Sequence, residues 1–186
     1  METYARQEAE NRKTEALRSS LFVACFSEVN NSFPLWGYYA ADHKGMCLGY
    51  NLYELIKKYQ CMPVIYSEKL LFYNEDDSQR NILANTLTKS SEWAHEQEWR
   101  IVINDNSNMG QRGIVKEFIK PQEIYIGCRQ QETVKENRDS NKTEDEMYAD
   151  LDDLIQYAEK DYVDIYMPII SRKAYELFDK ALILNP

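Results

Sequence analysis

Two short stretches hold side chains whose types and spacing could do chemistry. From Lys89 to Arg100, the carboxylates Glu96 and Glu98 stand two positions apart, with Trp93, His95 and Trp99 around them and a cation at each end. Residues two apart on an extended chain share a face. Glu96, Glu98 and Arg100 are therefore expected on one side of a strand centred on 99–103, with Gln97 and Trp99 on the other. Like charges on one face repel unless a cation or a substrate hydroxyl lies between them, and such pairs push one pKa upward. Glu98 is expected to titrate high unless Arg100 offsets it. The plainer reading of the same residues is a salt-bridged, solvated strand edge. In the second stretch, Trp36, Tyr39, Ala40 and His43 recur at i, i+3, i+4 and i+7, one face of a helix. Asp42 and a helix end beside His43 could orient an imidazole and hold its proton. The plain alternative makes Trp36 and Tyr39 core and His43 a cap. A dyad of His43 with Cys47 is weak, because a strand intervenes.

These side chains need elements to position them. Residues 2–20 are almost wholly polar and of high helix propensity, which predicts a surface helix ahead of the main domain. The apolar run 21–26 predicts a fully buried strand. A helix over 35–44 ends at Gly45, where a C-cap glycine belongs, and strand 46–50 and helix 52–60 follow. Strand 64–66, a helix from 77 to about 92, and strand 99–103 come next, the last expected to form a hairpin with 114–119 through the loop 104–113. Strand 123–127 precedes a charge-rich segment, 129–146, read as a mobile loop or the fraying start of the next helix. A helix over 144–160, a strand over 163–170 ended by Pro168, and a closing helix with Tyr175, Phe178 and Leu182 inward complete the chain. Short strands interleaved with helices, without repeats, predict one compact α+β domain over 21–186 with a mixed or antiparallel sheet.

Composition removes several functions. The chain has 186 residues with 22 Lys plus Arg against 31 Asp plus Glu, a net charge of -9. That balance disfavours non-specific binding to nucleic acid or to an anionic membrane, since both need surplus cations. No apolar run approaches the roughly 20 residues of a membrane span, and the first residues lack the apolar core of a secretory signal. The cysteines at 25, 47, 61 and 128 form no C-x-x-C and are expected to be reduced, buried thiols of a cytoplasmic protein. Six glycines include no phosphate-cradling motif, and two histidines make no metal site the expectation.

Four stretches together resemble a bacterial family known as domain of unknown function 2971. They are Val23-Ala24-Cys25-Phe26-Ser27-Glu28, then Trp36-x-x-Tyr39-Ala40-x-x-His43-Lys44-Gly45, then Lys89-x-x-x-Trp93-x-x-Glu96-x-Glu98-Trp99-Arg100, and finally Ile124-Tyr125-Ile126-Gly127. Family members carry a section ahead of the Cys-Phe-Ser-Glu stretch where this chain has its polar helix, so a truncated member is expected. The layout is similar, at greater distance, to the ADP-ribosyltransferases. That likeness implies NAD as substrate, with no other cofactor, and a role of the kind found in toxins and phage defence. It makes Glu98 the carboxylate that meets the oxocarbenium-like transition state and Glu96 the one that orients the acceptor. His43 joins them as a catalytic candidate. Trp36, Tyr39, Lys89, Trp93 and Arg100 become the substrate-binding candidates, and His43 and Glu98 are expected to line one concave site. Three classes stay open: an NAD-consuming transferase or glycohydrolase, a module that binds a nucleotide-like ligand without turning it over, and an inert remnant. Substrate, acceptor and protein partner are not legible.

Overall fold

The computed structural model describes residues 2–69, 78–130, 144–170 and 177–184. The chain divides into two units that interleave in sequence: Met1–Glu28 with Tyr53–Phe118, and Val29–Leu52 with Ile119–Pro186. Both mix helices with short strands, so the α+β class holds. Among the described residues no helix is long and apolar enough to cross a membrane.

In the first unit, helix α1 (Glu2–Ser20) runs directly into strand β1 (Leu21–Ser27). Further on come helix α3 (Leu52–Tyr59), whose first residue lies in the second unit, and strands β3 (Met62–Pro63) and β4 (Ile65–Ser67). Helix α4 (Ser78–Thr86), strand β5 (Thr88–Ser90), a 3-10 turn (Ser91–Glu96) and strand β6 (Glu98–Asn104) follow. The sheet order is β1-β6-β3, with a separate parallel pair β4-β5.

Three expectations change here. Strand β6 pairs antiparallel with β1, from Leu21 opposite Asn104 to Ser27 opposite Glu98, and not with 114–119, which holds no strand. That segment packs through side chains instead: Phe118 stacks on Tyr59 at 4.6 Å and on Phe26 at 6.0 Å. Strand β1 is an edge strand, so it is not fully buried; Val23 is 45% exposed, and Ala24 and Cys25 are exposed. The helix expected to reach residue 92 stops at Thr86. The hydroxyls of Thr86 and Thr88 donate back to the carbonyls of Ile82 and Ala84, and the β-branched segment then pairs with β4.

The second unit contains helix α2 (Phe33–Tyr39), strands β2 (Met46–Gly49) and β7 (Glu123–Ile126), helix α5 (Glu144–Asp161), and strands β8 (Asp164–Ile170) and β9 (Leu177–Leu184). Its sheet order is β2-β7-β8-β9. Strand β7 pairs parallel with β8, and parallel neighbours require a crossover, which α5 supplies. Ile124, Ile126, Ala158, Val163 and Ile165 are buried together between helix and sheet, each aliphatic burial contributing about 1.5–3 kcal/mol. Strand β8 continues past Pro168, because β7 pairs only as far as Tyr166 and no ladder amide is needed from 168 on that side. The expected closing helix is a correction: 177–184 is strand β9, antiparallel to β8. Its apolar residues, at 177, 178 and 181–184, follow neither period strictly, and an unpaired β8 edge favours extension. Of the charge-rich segment, 131–143 lies outside the described residues, as does 171–176.

Candidate functional site

The cluster in the first unit starts with a short turn. Ser90 caps the 3-10 segment, its Oγ accepting from the Glu92 amide at 3.4 Å. Gln97 then takes a left-handed conformation, φ 45, which reverses the chain and launches β6 at Glu98. Glu96 therefore sits in the turn, not on the strand as the alternation suggested, yet its carboxylate still reaches the Glu98 side. Both are deeply buried, Glu96 at 4% and Glu98 at 6% exposure.

Lys89, at the middle of β5, places its ammonium between them: it pairs with Glu96 Oε2 and, at 3.1 Å, with Glu98 Oε2. Arg100, two residues along β6 and so on the face of Glu98, grips that carboxylate with two bonds. Nε donates to Oε1 at 2.8 Å and Nη2 to Oε2 at 3.0 Å. Its Nη1 donates to the Thr86 carbonyl at the end of α4. Two buried carboxylates are thus matched by two cations, so the plain solvated edge is not what forms. The backbone is anchored as well. The Glu98 amide donates to Tyr66 Oη at 2.7 Å, and Ser27 Oγ donates to the Glu96 carbonyl at 2.6 Å. The exposed Trp93 lies under Lys89, whose Nζ is 5.2 Å from the ring centroid.

The titration of Glu98 follows from these contacts. Burial by itself raises its pKa. The bonds from Arg100, Cys25 and Lys89, with the Arg100 charge, outweigh burial and hold it at about 2. The exception attached to the expected high value is the one that applies: Arg100 offsets the repulsion, and Lys89 adds a second cation. Partial desolvation, the hydrogen bond to Glu98 and the charge of Glu98 push the Cys25 thiol up to about 11. Arg100 is raised by its bond to Glu98; Lys89 is raised too, its carboxylate partners overcoming burial.

Sequence reasoning missed Cys25, Ser27, Glu28 and Tyr66. The signal was present in the motifs: Cys25, Phe26 and Ser27 are the register partners of Arg100, Trp99 and Glu98. Trp99 Nε1 also donates to Glu28 Oε1 at 2.6 Å. The Cys-Phe-Ser-Glu and Glu-Trp-Arg stretches are neighbouring strands of one ladder.

Trp36, Tyr39 and His43 lie in the second unit. Trp36 is core, 4% exposed against Tyr125, and its Nε1 donates to the Asn30 carbonyl at 2.7 Å. Tyr39 is not on that buried face; it is 68% exposed and meets Tyr38 edge-on. The helix ends at Tyr39, and Ala41, Asp42 and His43 follow in three successive left-handed conformations with φ of 48, 55 and 67. Gly45 thus is not the residue that turns the chain. The turn seats His43 at 3% exposure beside Phe33, ring centroids 4.3 Å apart, and its Nδ1 has no hydrogen-bond partner among the described residues. Burial lowers the His43 pKa and the Arg129 charge adds to that, against the opposing charge of Asp42. Of the cysteines, Cys61 is buried, Cys47 and Cys128 are half-buried and Cys25 is exposed, all as free thiols. Among the described residues no group of His, Cys, Asp and Glu side chains is arranged to hold a metal ion.

Residues 35–101 match the model of a family described as "Protein of unknown function (DUF2971)", so over that span the chain is similar to this family. The span includes every candidate residue of both stretches, and ends one residue beyond Arg100. No curated protein and no solved structure matches the chain.

Proposed function

We propose that the Lys89–Glu96–Glu98–Arg100 cluster is the working centre of an ADP-ribosyltransferase-like enzyme that acts on NAD. The observation that carries this reading is a carboxylate, Glu98, that is buried yet held ionised by Lys89 and Arg100. Such a group cannot serve as a general acid near neutrality, but it is suited to stand opposite a developing positive charge. In the reaction the bond between ribose C1′ and the nicotinamide nitrogen breaks. Its electron pair leaves with neutral nicotinamide, and the oxocarbenium-like ribose is stabilised by Glu98 until an acceptor oxygen or nitrogen attacks C1′ and gives up its proton. Glu96, tied to Glu98 through Lys89, is the candidate for orienting that acceptor.

One observation favours a second reading, a module that binds a nucleotide without turnover. Arg100 gives Glu98 two donors and Lys89 a third, so three of its four acceptor positions are already matched. Incubation with NAD and chromatographic detection of nicotinamide, with calorimetry on the same samples, separates the two. Release that disappears in Glu98→Gln while NAD still binds supports the enzyme. Binding without release in either protein supports the module, and the absence of both removes NAD from the account.

A further inference from the structure

We infer that the free edge of β1 pairs antiparallel with β1 of a second copy of this chain, joining two three-stranded sheets about a two-fold axis at Val23. In an antiparallel ladder a strand bonds a given neighbour through alternate residues. The Asp105 amide donates to the Ser20 carbonyl and the Glu28 amide to the Gln97 carbonyl, so the even-numbered residues of β1 bond β6. The odd-numbered residues therefore turn N–H and C=O away from the sheet. At Leu21, Val23 and Cys25 these six groups have no backbone partner among the described residues. Val23, Ala24 and Cys25 are exposed in succession, and neighbours on a strand point to opposite faces. Both faces and the edge are thus open at the middle of the strand.

The two edges of this sheet are built differently. Sheet edges are normally blunted by charge, proline, a bulge or shortness. The outer edge opposite β1 follows that rule, since β3 is two residues long and ends in Pro63. Strand β1 uses none of these devices. It runs seven residues, Leu-Phe-Val-Ala-Cys-Phe-Ser, without charge or proline, and its register against β6 never shifts. Such an edge is a template for main-chain pairing. A sheet joined through β1 carries a blunt β3 at each end, so growth stops at two copies and the assembly closes.

Charge complementarity selects a second copy as the occupant and fixes the register. With Val23 opposite Val23 of the second copy, Leu21 meets Cys25 and Phe22 meets Ala24, and no charged residue lies within the ladder. The same register brings Arg18, in the last turn of α1, to the far end of the other β1, where Glu28 follows. Both residues are exposed, and neither enters an ion pair among the described residues. The dimer therefore gains an opposite-charge pair at each end of the new ladder. This pairing does not depend on what Glu98 does, so loss of the NAD reading leaves it standing.

The test is light scattering of the whole chain over a concentration series, with amide hydrogen exchange at its two extremes. The mass should rise from one chain to two. Exchange at Leu21, Val23 and Cys25 should slow at least about tenfold at high concentration, while Phe22 and Ala24, already bonded to β6, change less. Val23→Lys, at an exposed position, sets two like charges opposite each other on the axis. It should leave the chain monomeric with its far-UV circular dichroism unchanged. Arg18→Glu should weaken the dimer about tenfold, and adding Glu28→Arg should restore most of the loss. A chain that stays monomeric up to about 1 mM overturns the proposal. A dimer indifferent to Val23→Lys overturns it too, since the interface then lies elsewhere. Slowed β1 amides at constant mass also overturn it, because another part of the same chain then covers the edge. The charge exchange lies outside the strand, so it decides the matter even if Val23→Lys misfolds: a dimer unmoved by Arg18→Glu refutes this pairing.

Discussion

The carbonyl oxygen of His43 occupies the space that a Cβ at position 127 would fill. Gly127 has no Cβ, so its amide reaches the Gly45 carbonyl at 2.8 Å, and the Arg129 amide reaches the His43 carbonyl at 3.0 Å. Two separated stretches, one around His43 and one ending in Gly127, are therefore two sides of a single backbone contact within the second unit. The three left-handed residues before it each cost on the order of 1 kcal/mol, and this contact helps to hold them there.

Gly127→Ala should accordingly destabilise the fold by roughly 3 kcal/mol, since the obstructing atoms are backbone and cannot swing aside. Urea unfolding measures it. Gly37→Ala is the control, because nothing lies within 4 Å of a Cβ there, and it should be neutral or slightly stabilising. Equal urea midpoints for Gly127→Ala and the wild type would show that the contact does not form.

Acid should expose the Glu98 network. Its folded pKa, about 2, lies below the ordinary 4.5. The unfolded chain therefore takes up the proton first. The stabilisation is complete above about pH 4.5 and is lost as pH falls towards 2, an effect on the order of 2–3 kcal/mol. Urea midpoints of wild type and Glu98→Gln should converge across that window. A gap that stays constant from pH 6 to pH 3 would contradict the assignment.

Lys89 holds two carboxylates that would otherwise face each other. Lys89→Met should destabilise by about 3–5 kcal/mol, the usual consequence of leaving buried charge unpaired. Adding Glu96→Gln should restore part of the loss, and a double-mutant cycle reports the coupling. Additive effects would mean that Lys89 and Glu96 do not interact.

His43 should be a neutral imidazole at pH 7. Burial and Arg129 lower its pKa below the ordinary 6.5. The unfolded state thus binds the proton first, and stability contributed by neutral His43 is full above 6.5 and declines as pH drops beneath it. A nitrogen-proton NMR titration reads this directly, and a midpoint at or above 6.5 would refute it.

Much of the candidate chemistry was legible in residue types and spacing. Glu98 and Arg100, two positions apart where an apolar strand begins, were expected to share a strand face, and they do. The crossover helix and the strands around it followed from periodicity, because Leu154, Ile155 and Ala158 repeat at helical spacing beside the apolar strand at 123–126.

What the sequence alone determined was local: which segments alternate, which are amphipathic, and that two carboxylates and two cations lie close along the chain. Tertiary structure decided the rest. Segment 177–184 carries apolar residues compatible with either a helix or a strand, and the free edge of β8 resolved them as β9. Strand β6 had an apparent partner ten residues downstream, but it pairs with β1, which brings Cys25 and Ser27 to Arg100 and Glu98. Repulsion between the two carboxylates, and Arg100 two residues along from Glu98, can be read from spacing, whereas Lys89 is brought to both carboxylates from β5, and only a folded chain places charge at 2.8–3.1 Å.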